Sequence, residues 1–344
     1  MANRFDEEFM ELDVYALGNA LVDIQIQVQN SQFAELGLEK GNRYLTDRYR
    51  QEEILQKLLG PDSLESAQKA GKLQTAAGGS AANTMYGISQ LGGRAGLCGK
   101  IANDGLGILY AEHMRQCSVV FKENTGQGMT GTCVVLISED AQRTMLTCLG
   151  VSGEIDYEDI DEELLKHSRY IFLEGYLFES ECAARTMLRA VAVARNNGVK
   201  IALSASDANC VDRHRDLLVQ LIQNDVDLLF ANTREAWALS GTDNNDAALR
   251  VLSSWCEGVA VTDGEHGSML SFNGEVMKNA LYSVSALDTT GAGDAYAAGL
   301  LYGIISGRKS RESGMIASLF SARVVAQIGP RYNGDIQAEL KKLL

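Results

Sequence analysis

The sequence predicts an α/β protein with a mostly parallel β-sheet and helices on both of its faces. Short apolar runs alternate with longer stretches of helical periodicity over most of the 344 residues. These runs lack the polar alternation of half-exposed strands, as is typical of strands that are buried on both faces. The chain has only 2 prolines, which disfavours long structureless linkers. Strands and helices in alternation therefore favour one sheet covered by helices.

The individual elements follow from the position of each run. In chain order, we expect strands at 14–18, 95–100, 170–173, 201–204, 228–231, 258–262 and 282–287, and helices at 81–91, 106–116, 182–196 and 295–302. The long helix at 182–196 is followed by Asn197-Gly198, a typical helix stop.

Two segments interrupt this alternation. Residues 24–46 begin with Ile24, Ile26 and Val28 at every second position, as in a strand with one wet face. Residues 132–138 and 143–148 favour a β-hairpin around a polar connection at 139–142. We expect these segments to form a small β-sheet lid over the main sheet, and the alternative is an edge extension of the main sheet. The predicted large domain comprises residues 1–23, 50–118 and 149–344, and the predicted lid comprises 24–49 and 119–148.

Composition limits the partners and the location. The formal net charge of −14 excludes nucleic acid and an anionic membrane surface as expected partners. No apolar run approaches the ~18–20 residues of a membrane span, and the acidic N-terminus lacks the apolar core of a secretory signal. The seven cysteines contain no C-x-x-C and the four histidines form no ligand pattern. We expect reduced thiols, no structural zinc and a cytoplasmic location.

The most informative motif is the stretch Asp288-Thr289-Thr290-Gly291-Ala292-Gly293-Asp294. A glycine turn between a strand and a helix aims backbone N–H groups and the positive end of the helix dipole at an anion. Asp294 places a carboxylate on the same edge, where it could take a proton from a hydroxyl. This combination suggests phosphoryl transfer. The alternative is an ordinary capping aspartate in a glycine-rich turn.

Two further stretches suggest a site for a polyhydroxylated ligand. Gly78 and Gly79 precede a helix of small residues, and Asn83 lies one turn into it, where its amide could reach a ligand. Asn19 and Asp23 follow the first strand, and the Asp23 carboxylate could chelate two vicinal hydroxyls. The alternatives are a tight turn with a packed helix and a solvated loop aspartate.

Two more stretches suggest sites for phosphate and a cation. Asn232 and Glu235 begin a helix after a strand, and they could hold Mg²⁺ through water or form a capping box, or both. Thr262 and Gly264 could line the phosphates of a nucleotide, or form an ordinary turn. The sequence has no Walker A motif, no G-x-G-x-x-G after its first strand and no G-x-S-x-G.

Together and in this order, these motifs resemble the ribokinase-like carbohydrate kinases of the PfkB family, from about Val14 to about Gly329. Within that family the chain is most similar to bacterial adenosine-kinase-like members. The supporting stretches are 18–24, 130–133 with Arg143, and 174–177. The resemblance implies a three-layer α/β/α domain with a small β-sheet lid. It also implies transfer of the γ-phosphate of ATP to the 5′-hydroxyl of a nucleoside, most simply adenosine. A sugar kinase for ribose, fructose or a related sugar, and a non-catalytic ligand-binding regulator, are the alternatives.

The resemblance also implies roles for individual residues. Asp294 would be the catalytic base, the amides of Gly291, Ala292 and Gly293 the anion hole, and Arg143 a lid residue that stabilises charge on the phosphate. Asp23, Asn83 and Gly79, with Asn19 and Gly78 beside them, would hold the ribose hydroxyls. Tyr176 or Phe178 would stack on the base.

The donor side is assigned in the same way. Thr262 and Gly264 would contact ATP, and Asn232 and Glu235 would tune the binding of Mg²⁺ and phosphate. A monovalent cation such as K⁺ beside the anion hole is common in the family, and the assembly would be a monomer or a homodimer. Thr290 stands where several nucleoside-specific members carry Asn, and this residue leaves the acceptor open between nucleoside and sugar.

Overall fold

The computed structural model describes residues 11–140, 142–279 and 282–343. The acidic segment on which the absence of a targeting signal was predicted lies outside these residues. The strands are β1 (Leu12–Leu17), β2 (Leu21–Gln27), β3 (Arg43–Leu45), β4 (Gln74–Gly78), β5 (Ala95–Cys98), β6 (Lys100–Ala102), β7 (Val120–Phe121), β8 (Asn124–Gly126), β9 (Gly131–Ile137), β10 (Arg143–Cys148), β11 (Ser168–Glu174), β12 (Lys200–Ser204), β13 (Leu228–Asn232), β14 (Gly258–Thr262), β15 (Ser268–Phe272) and β16 (Glu275–Asn279).

The α-helices are α1 (Asn30–Leu36), α2 (Arg48–Leu59), α3 (Leu64–Lys69), α4 (Ser80–Leu91), α5 (Gly105–Gln116), α6 (Glu162–Lys166), α7 (Glu181–Asn196), α8 (Ala208–Asn224), α9 (Thr233–Ser240), α10 (Asn245–Leu252), α11 (Ala292–Ile305), α12 (Ser310–Val325) and α13 (Ile336–Leu343). None of the described helices is both long and apolar enough to cross a membrane.

The main sheet has nine strands in the order β16-β15-β14-β13-β12-β11-β1-β5-β7. The seven strands from β14 to β7 run parallel, and β15 and β16 add an antiparallel edge. Successive side chains of a strand point to opposite faces of the sheet. Both faces are apolar here, and helices cover each of them. In β1, Val14 and Ala16 pack in the core that contains α4, α5, α11, α12 and α13. Tyr15 and Leu17 pack in the core that contains α6 to α10. The predicted three-layer α/β/α fold is confirmed.

A second sheet has five strands in the order β3-β10-β9-β2-β4. Ile24 and Ile26 of β2, with Val134 and Leu136 of β9, pack against α1, α2 and α3 in a separate core. The alternate residues of these strands, such as Asp23 and Cys133, line a cavity on the opposite face. Period-two alternation in β2 and β9 therefore separates an apolar outer face from an inner face that faces the cavity.

The hairpin predicted at 132–138 and 143–148 is confirmed, since β9 and β10 pair antiparallel. It belongs to the smaller sheet and not to an edge of the main sheet. The smaller sheet and the helices on its outer face span more of the chain than the predicted lid segments. β4 is a strand of this sheet, and α2 and α3 pack against it, so that residues between 48 and 78 also contribute. The division into two domains, and the role of the smaller sheet as a lid, remain predictions.

The strand expected at 282–287 is wrong. These residues form no strand, and the backbone N–H groups of Leu287 and Asp288 donate to the carbonyl oxygen of Val325 at the end of α12. Leu287 is 56% exposed, so the apolar alternation does not correspond to a buried face. The segment passes over α12 instead of joining the sheet, and the antiparallel edge is made by β15 and β16.

Candidate active site

A cavity of about 930 Å³ lies between the smaller sheet and the carboxyl ends of the main-sheet strands. This edge is where open parallel sheets bind ligands. The sequence-predicted site residues that line the cavity are Asn19, Asp23, Gly79, Asn83, Arg143, Tyr176, Asn232, Glu235, Thr262, Gly264, Gly291, Ala292, Gly293 and Asp294. Gly78 is not among the lining residues and lies directly behind Asp23.

The glycine turn is held by the buried carboxylate of Asp288. Its Oδ1 accepts from the backbone N–H of Thr290 at 2.8 Å, and its Oδ2 accepts from the N–H of Gly329 at 2.6 Å. Arg143, from β10 of the smaller sheet, forms a salt bridge with the same carboxylate. Arg143 is therefore fixed beside the turn by a contact between the smaller sheet and the segment that precedes α11.

The protein requires glycine at one position of the turn, Gly291, and has room for a side chain at the other, Gly293. Gly291 caps α11 with a φ of +74°, and a Cβ there would lie 2.5 Å from the carbonyl oxygen of Pro330. Packing and backbone conformation thus demand glycine at this position. A Cβ at Gly293 would meet no protein atom within 4 Å. Gly293 keeps open a space in front of the helix start that the protein itself does not fill.

The N-terminus of α11 forms a cradle for an anion. Among the described residues, no hydrogen-bond acceptor faces the backbone N–H of Gly293 or of Asp294, and the chain bends so that Ala295 donates to Gly291 at 2.8 Å. Unpaired N–H groups at the first turn of a 14-residue helix attract negative charge. Gly293 and Asp294 thus offer the free N–H groups, whereas the N–H of Ala292 donates to the carbonyl oxygen of Thr289 at 3.3 Å, and the anion-hole role stays a prediction.

Asp294 is held by two side chains of α4. Its Oδ1 accepts from the hydroxyl of Ser80 at 2.7 Å, and its Oδ2 accepts from Nδ2 of Asn83 at 3.0 Å. Burial raises the pKa of the Asp294 carboxyl, while these two hydrogen bonds and the charges of Arg43 and Arg331 act in the opposite direction. A carboxylate that is fixed in position and made more basic by burial suits proton abstraction. The capping alternative is not observed, because both carboxylate oxygens point to α4.

Asp23 lies on β2 across the cavity. It is buried, and burial raises its pKa to about 6 against the opposing charges of Arg331, Arg143 and Arg43. A Cβ at Gly78 would lie 2.6 Å from the carboxyl atoms of Asp23. Gly78 therefore makes room for this carboxylate. The alternative of a solvated loop aspartate is excluded by the burial of Asp23.

Glu174, at the end of β11, is a carboxylate in this site to which the sequence assigned no role. Its Oε1 accepts from the backbone N–H and the side-chain Nδ2 of Asn19 at 2.7 and 3.0 Å, and its Oε2 accepts from the N–H of Ala81 at 2.9 Å. Burial raises the pKa of Glu174 to about 7. Glu174 thus joins the loop after β1 to the start of α4. Its signal was a charged residue at the end of an otherwise apolar run.

Asn232 and Glu235 form the capping box of α9. The Asn232 side chain accepts from the Glu235 N–H at 3.0 Å, and Glu235 accepts from the Asn232 N–H at 2.9 Å. Burial raises the pKa of Glu235 to about 7. No group of three or more His, Cys, Asp or Glu in the described residues could hold a metal ion directly. Glu235 has no cationic side chain in salt-bridge contact within that part of the chain, so the pair fits a hydrated Mg²⁺ held through water.

The remaining predicted residues lie around the cavity wall. Thr262 ends β14, and Gly264 has a φ of +52° with no atom near a would-be Cβ. Tyr176 donates its backbone N–H to Ser206 at 3.2 Å, and the Arg43 guanidinium lies 5.5 Å from its ring centre. Phe178 stacks on His214 in the core and does not line the cavity. Of the two aromatic candidates, only Tyr176 has access to a ligand.

Gly79 connects the two halves of the site. It follows β4 of the smaller sheet and precedes α4, with a φ of +93°, and a Cβ there would lie 2.4 Å from the carbonyl oxygen of Asn19. Three polar residues besides Glu174 escaped the sequence reasoning at this site. They are Ser80, Arg43 and Arg331. Ser80 stood inside a recognised motif, whereas the two arginines reach Asp294 only through folding.

Known proteins share the sequence pattern and the fold of this chain. The model of the pfkB family carbohydrate kinases matches residues 47–336. The chain belongs to the PfkB family of carbohydrate kinases. A structure of adenosine kinase from Sinorhizobium meliloti is 34% identical, with a TM-score of 0.89, over 97% of this chain and 100% of that one. A probable sugar kinase from Rhizobium etli CFN 42 is 31% identical, with a TM-score of 0.89, over 97% and 99%.

Several relatives of this chain are named as kinases of sugars or sugar acids. A 5-dehydro-2-deoxygluconokinase from Clostridium perfringens is 23% identical over 263 residues, which are 72% of this chain and 78% of that protein. Membership of the PfkB family makes the chain a kinase, with ATP as the phosphate donor that this family implies. The resemblance found in the motifs is confirmed at the level of family and fold.

Proposed function

We propose that this PfkB kinase transfers the γ-phosphate of ATP to the 5′-hydroxyl of a nucleoside, with adenosine as the preferred acceptor. The observation that carries the proposal is the placement of the Asp294 carboxylate beside the anion cradle of α11, with the Asp23 carboxylate facing the same cavity from the smaller sheet. Adenosine is preferred because the adenosine kinase from Sinorhizobium meliloti aligns with 97% of this chain and is 34% identical to it.

In this proposal each residue acts through a contact that the site provides. Asp23 accepts hydrogen bonds from two ribose hydroxyls and so directs the 5′-hydroxyl towards Asp294. Asp294 accepts the proton of that hydroxyl as its oxygen bonds to the γ-phosphorus of ATP, and the bond from that phosphorus to the bridging oxygen breaks, so that ADP leaves. The N–H groups at the start of α11 and the Arg143 guanidinium stabilise charge on the transferring phosphoryl oxygens. Little covalent work is left to the protein, so positioning contributes most of the rate.

The donor lies along the other end of the cavity. Thr262 and Gly264 would contact ATP, and Asn232 and Glu235 would contact water molecules around magnesium. When bound, Mg²⁺ neutralises charge on the phosphate oxygens. Tyr176 would stack on the nucleobase. A role for K⁺ and the choice between monomer and homodimer stay predictions.

A sugar kinase is the second candidate. The 5-dehydro-2-deoxygluconokinase of Clostridium perfringens and the probable sugar kinase of Rhizobium etli favour it. Thr290 also favours it, since several nucleoside-specific members of the family carry Asn at this position. The buried hydroxyl of Thr290 has no hydrogen-bond partner among the described residues.

A panel of acceptors separates these candidates. Purified protein with ATP and Mg²⁺ is offered adenosine, inosine, ribose, fructose and 5-dehydro-2-deoxygluconate, with ADP release as the rate and ³¹P NMR to identify the product. We expect the highest kcat/KM with adenosine and AMP as the product, and a kcat lower by about 10²–10⁴ in Asp294→Asn. A higher kcat/KM with any sugar refutes the nucleoside proposal, and no turnover with any acceptor favours a ligand-binding regulator.

A further inference from the structure

Arg331 is a buried arginine whose contacts have no part in the mechanism so far. It lies after α12, is 8% exposed, and donates from Nε to Oδ1 of Asn83 at 3.0 Å. Its Nη1 lies 2.9 Å from Nδ1 of His113 on α5, and its guanidinium lies 5.1 Å from the ring centre of Tyr86. These contacts are with an amide oxygen, an imidazole nitrogen and an aromatic ring. The charge of Arg331 also acts on the Cys117 thiol, and its Nη2 has no hydrogen-bond partner among the described residues.

These contacts fix the orientation of the Asn83 amide. A guanidinium has only donors, so the atom of Asn83 that faces Arg331 must be the carbonyl oxygen. The amide nitrogen then points the other way, where it donates to Oδ2 of Asp294 at 3.0 Å. Without Arg331, only Asp294 would hold the amide in this orientation, and the carbonyl oxygen of Asn83 would lose its partner. The order Arg331, Asn83, Asp294 is thus a directed chain of donors.

The neighbouring histidine is suited to this arrangement. Nδ1 of His113 can accept from Arg331 only while that nitrogen carries no proton. Burial, together with the charge of Arg331, lowers the pKa of His113 to about 4. His113 therefore stays neutral over the working pH range of most enzymes, and the contact that holds Arg331 persists.

We propose that Arg331 is a positioning residue for phosphoryl transfer, which holds the Asn83 amide so that it donates to Asp294 and keeps that carboxylate ionised and aligned. This inference rests on the proposed function of Asp294 as the base. Arg331 also acts through its charge, since none of its contacts in the described chain is a carboxylate that would neutralise it.

The charge around Asp294 comes from several elements. The charged or titratable groups that act on it are Arg331, Arg43 on β3, Asp23 on β2, Glu174 on β11 and Glu235 on α9. Removal of Arg331 takes away one of the two arginine charges named above, while the three carboxyl groups stay. The pKa of Asp294 must then rise, and the protonated form, which cannot act as a base, persists to higher pH.

The test compares Arg331→Gln, which removes the charge, and Arg331→Lys, which keeps it. Arg323→Met, which removes a partly exposed arginine bonded to Glu339 outside the cavity, is the matched control. We expect the acid limb of the kcat–pH profile to move upward by on the order of one pH unit in Arg331→Gln. At about pH 9, where Asp23 is ionised with or without Arg331, KM for the acceptor and for ATP should change less than about threefold, since Arg331 does not line the cavity.

Arg331→Lys should keep the acid limb near that of the wild type but lower kcat, because a single ammonium nitrogen cannot reproduce the fixed spacing of Nε and Nη1 that contact Asn83 and His113. Arg323→Met should leave the profile unchanged. If the acid limb of the kcat–pH profile does not move in Arg331→Gln and the Tm falls, the proposal is overturned in favour of a packing role. A raised acceptor KM at unchanged kcat would also overturn it. If Arg331→Gln does not fold, Arg331→Lys decides through the same split between kcat and KM.

A measurement without turnover separates this inference from the proposed function. The ¹³C carboxyl signal of Asp294 in aspartate-labelled protein, assigned by its loss in Asp294→Asn, is titrated in the wild type and in Arg331→Gln. We expect a higher midpoint in the variant. An unchanged midpoint refutes the coupling even in an active enzyme, whereas a shifted midpoint supports it even if no acceptor in the panel is phosphorylated.

Discussion

The two glycines of the anion cradle should respond to alanine in opposite ways. Gly291→Ala forces a side chain into a left-handed backbone conformation at φ +74° and sets its Cβ 2.5 Å from a backbone oxygen. The conformational cost alone is ~1–2 kcal/mol, and the contact with Pro330 adds to it because a backbone atom cannot move aside cheaply. We expect a loss of about 2 kcal/mol or more in the free energy of unfolding.

Gly293→Ala should leave the fold intact and impair the reaction. Its Cβ meets no protein atom within 4 Å, and alanine is favoured over glycine in a helix by up to ~1 kcal/mol. The methyl group would occupy the space in front of the free N–H groups, where the transferring phosphoryl is proposed to lie. Loss of an anion-stabilising contact typically costs about 10²–10³ in kcat. Gly293→Ala should therefore lose roughly 100-fold in kcat without a fall in Tm.

Calorimetry and steady-state kinetics on the same preparations provide the assay. For a chain of 344 residues, 2 kcal/mol corresponds to a fall in Tm of about 3 °C. Gly105→Ala is the control for Gly293→Ala, since Gly105 also begins a helix, has open space around its would-be Cβ and lies outside the cavity. Near-normal kcat in Gly293→Ala would refute the position of the phosphoryl group.

Substitutions at the other carboxylates of the site test four further predictions. Asp294→Asn should lower kcat by about 10²–10⁴ with little change in acceptor KM, as steady-state kinetics would show, and near-normal turnover would rule out the base. Asp23→Ala and Gly78→Ala should both raise the acceptor KM, because a Cβ at Gly78 displaces the Asp23 carboxylate; unchanged acceptor binding in titration calorimetry would contradict the chelation role. Glu235→Gln should keep the capping box but raise the Mg²⁺ concentration needed for half-maximal rate, and an unaltered requirement would refute the cation role. The pKa of Glu235 is raised to about 7 in the folded protein, so its contribution to stability is present below the ordinary pKa of a glutamate and is lost as the pH rises through 7. Denaturant unfolding should show this decline in the wild type and a smaller one in Glu235→Gln.

The sequence predicted those parts of the fold that depend on local patterns. Short apolar runs identified the parallel strands because both faces of those strands are buried, and alternation at Ile24 and Ile26 identified a strand with one apolar face. The same alternation failed at 282–287, where the apolar residues lie against α12 or in solvent. Alternation reports which side chains share a direction, and it does not report whether a neighbouring strand exists.

The candidate site was predictable where one short motif carries the chemistry. Glycines that need a special backbone or a close approach, such as Gly291 and Gly78, stand out in a sequence. Arg331 and Glu174 do not, because their partners lie 248 and 155 residues away along the chain. An arginine after a proline and a glutamate at the end of an apolar run acquire their roles only when folding brings α4 between them.

Gly79 has a consequence for how acceptor preference can change. The residue before it makes room for the carboxylate that is proposed to bind the acceptor, and the residue after it donates to the proposed base. Selection or engineering that altered residues 78–80 to admit a new acceptor would misalign the base in the same step. The inner faces of β9 and β10, which carry Cys133, Val135, Met145 and Thr147, have no such contact with Asp294. New acceptor preferences should therefore evolve by substitutions on those two strands, while residues 78–80 stay constant.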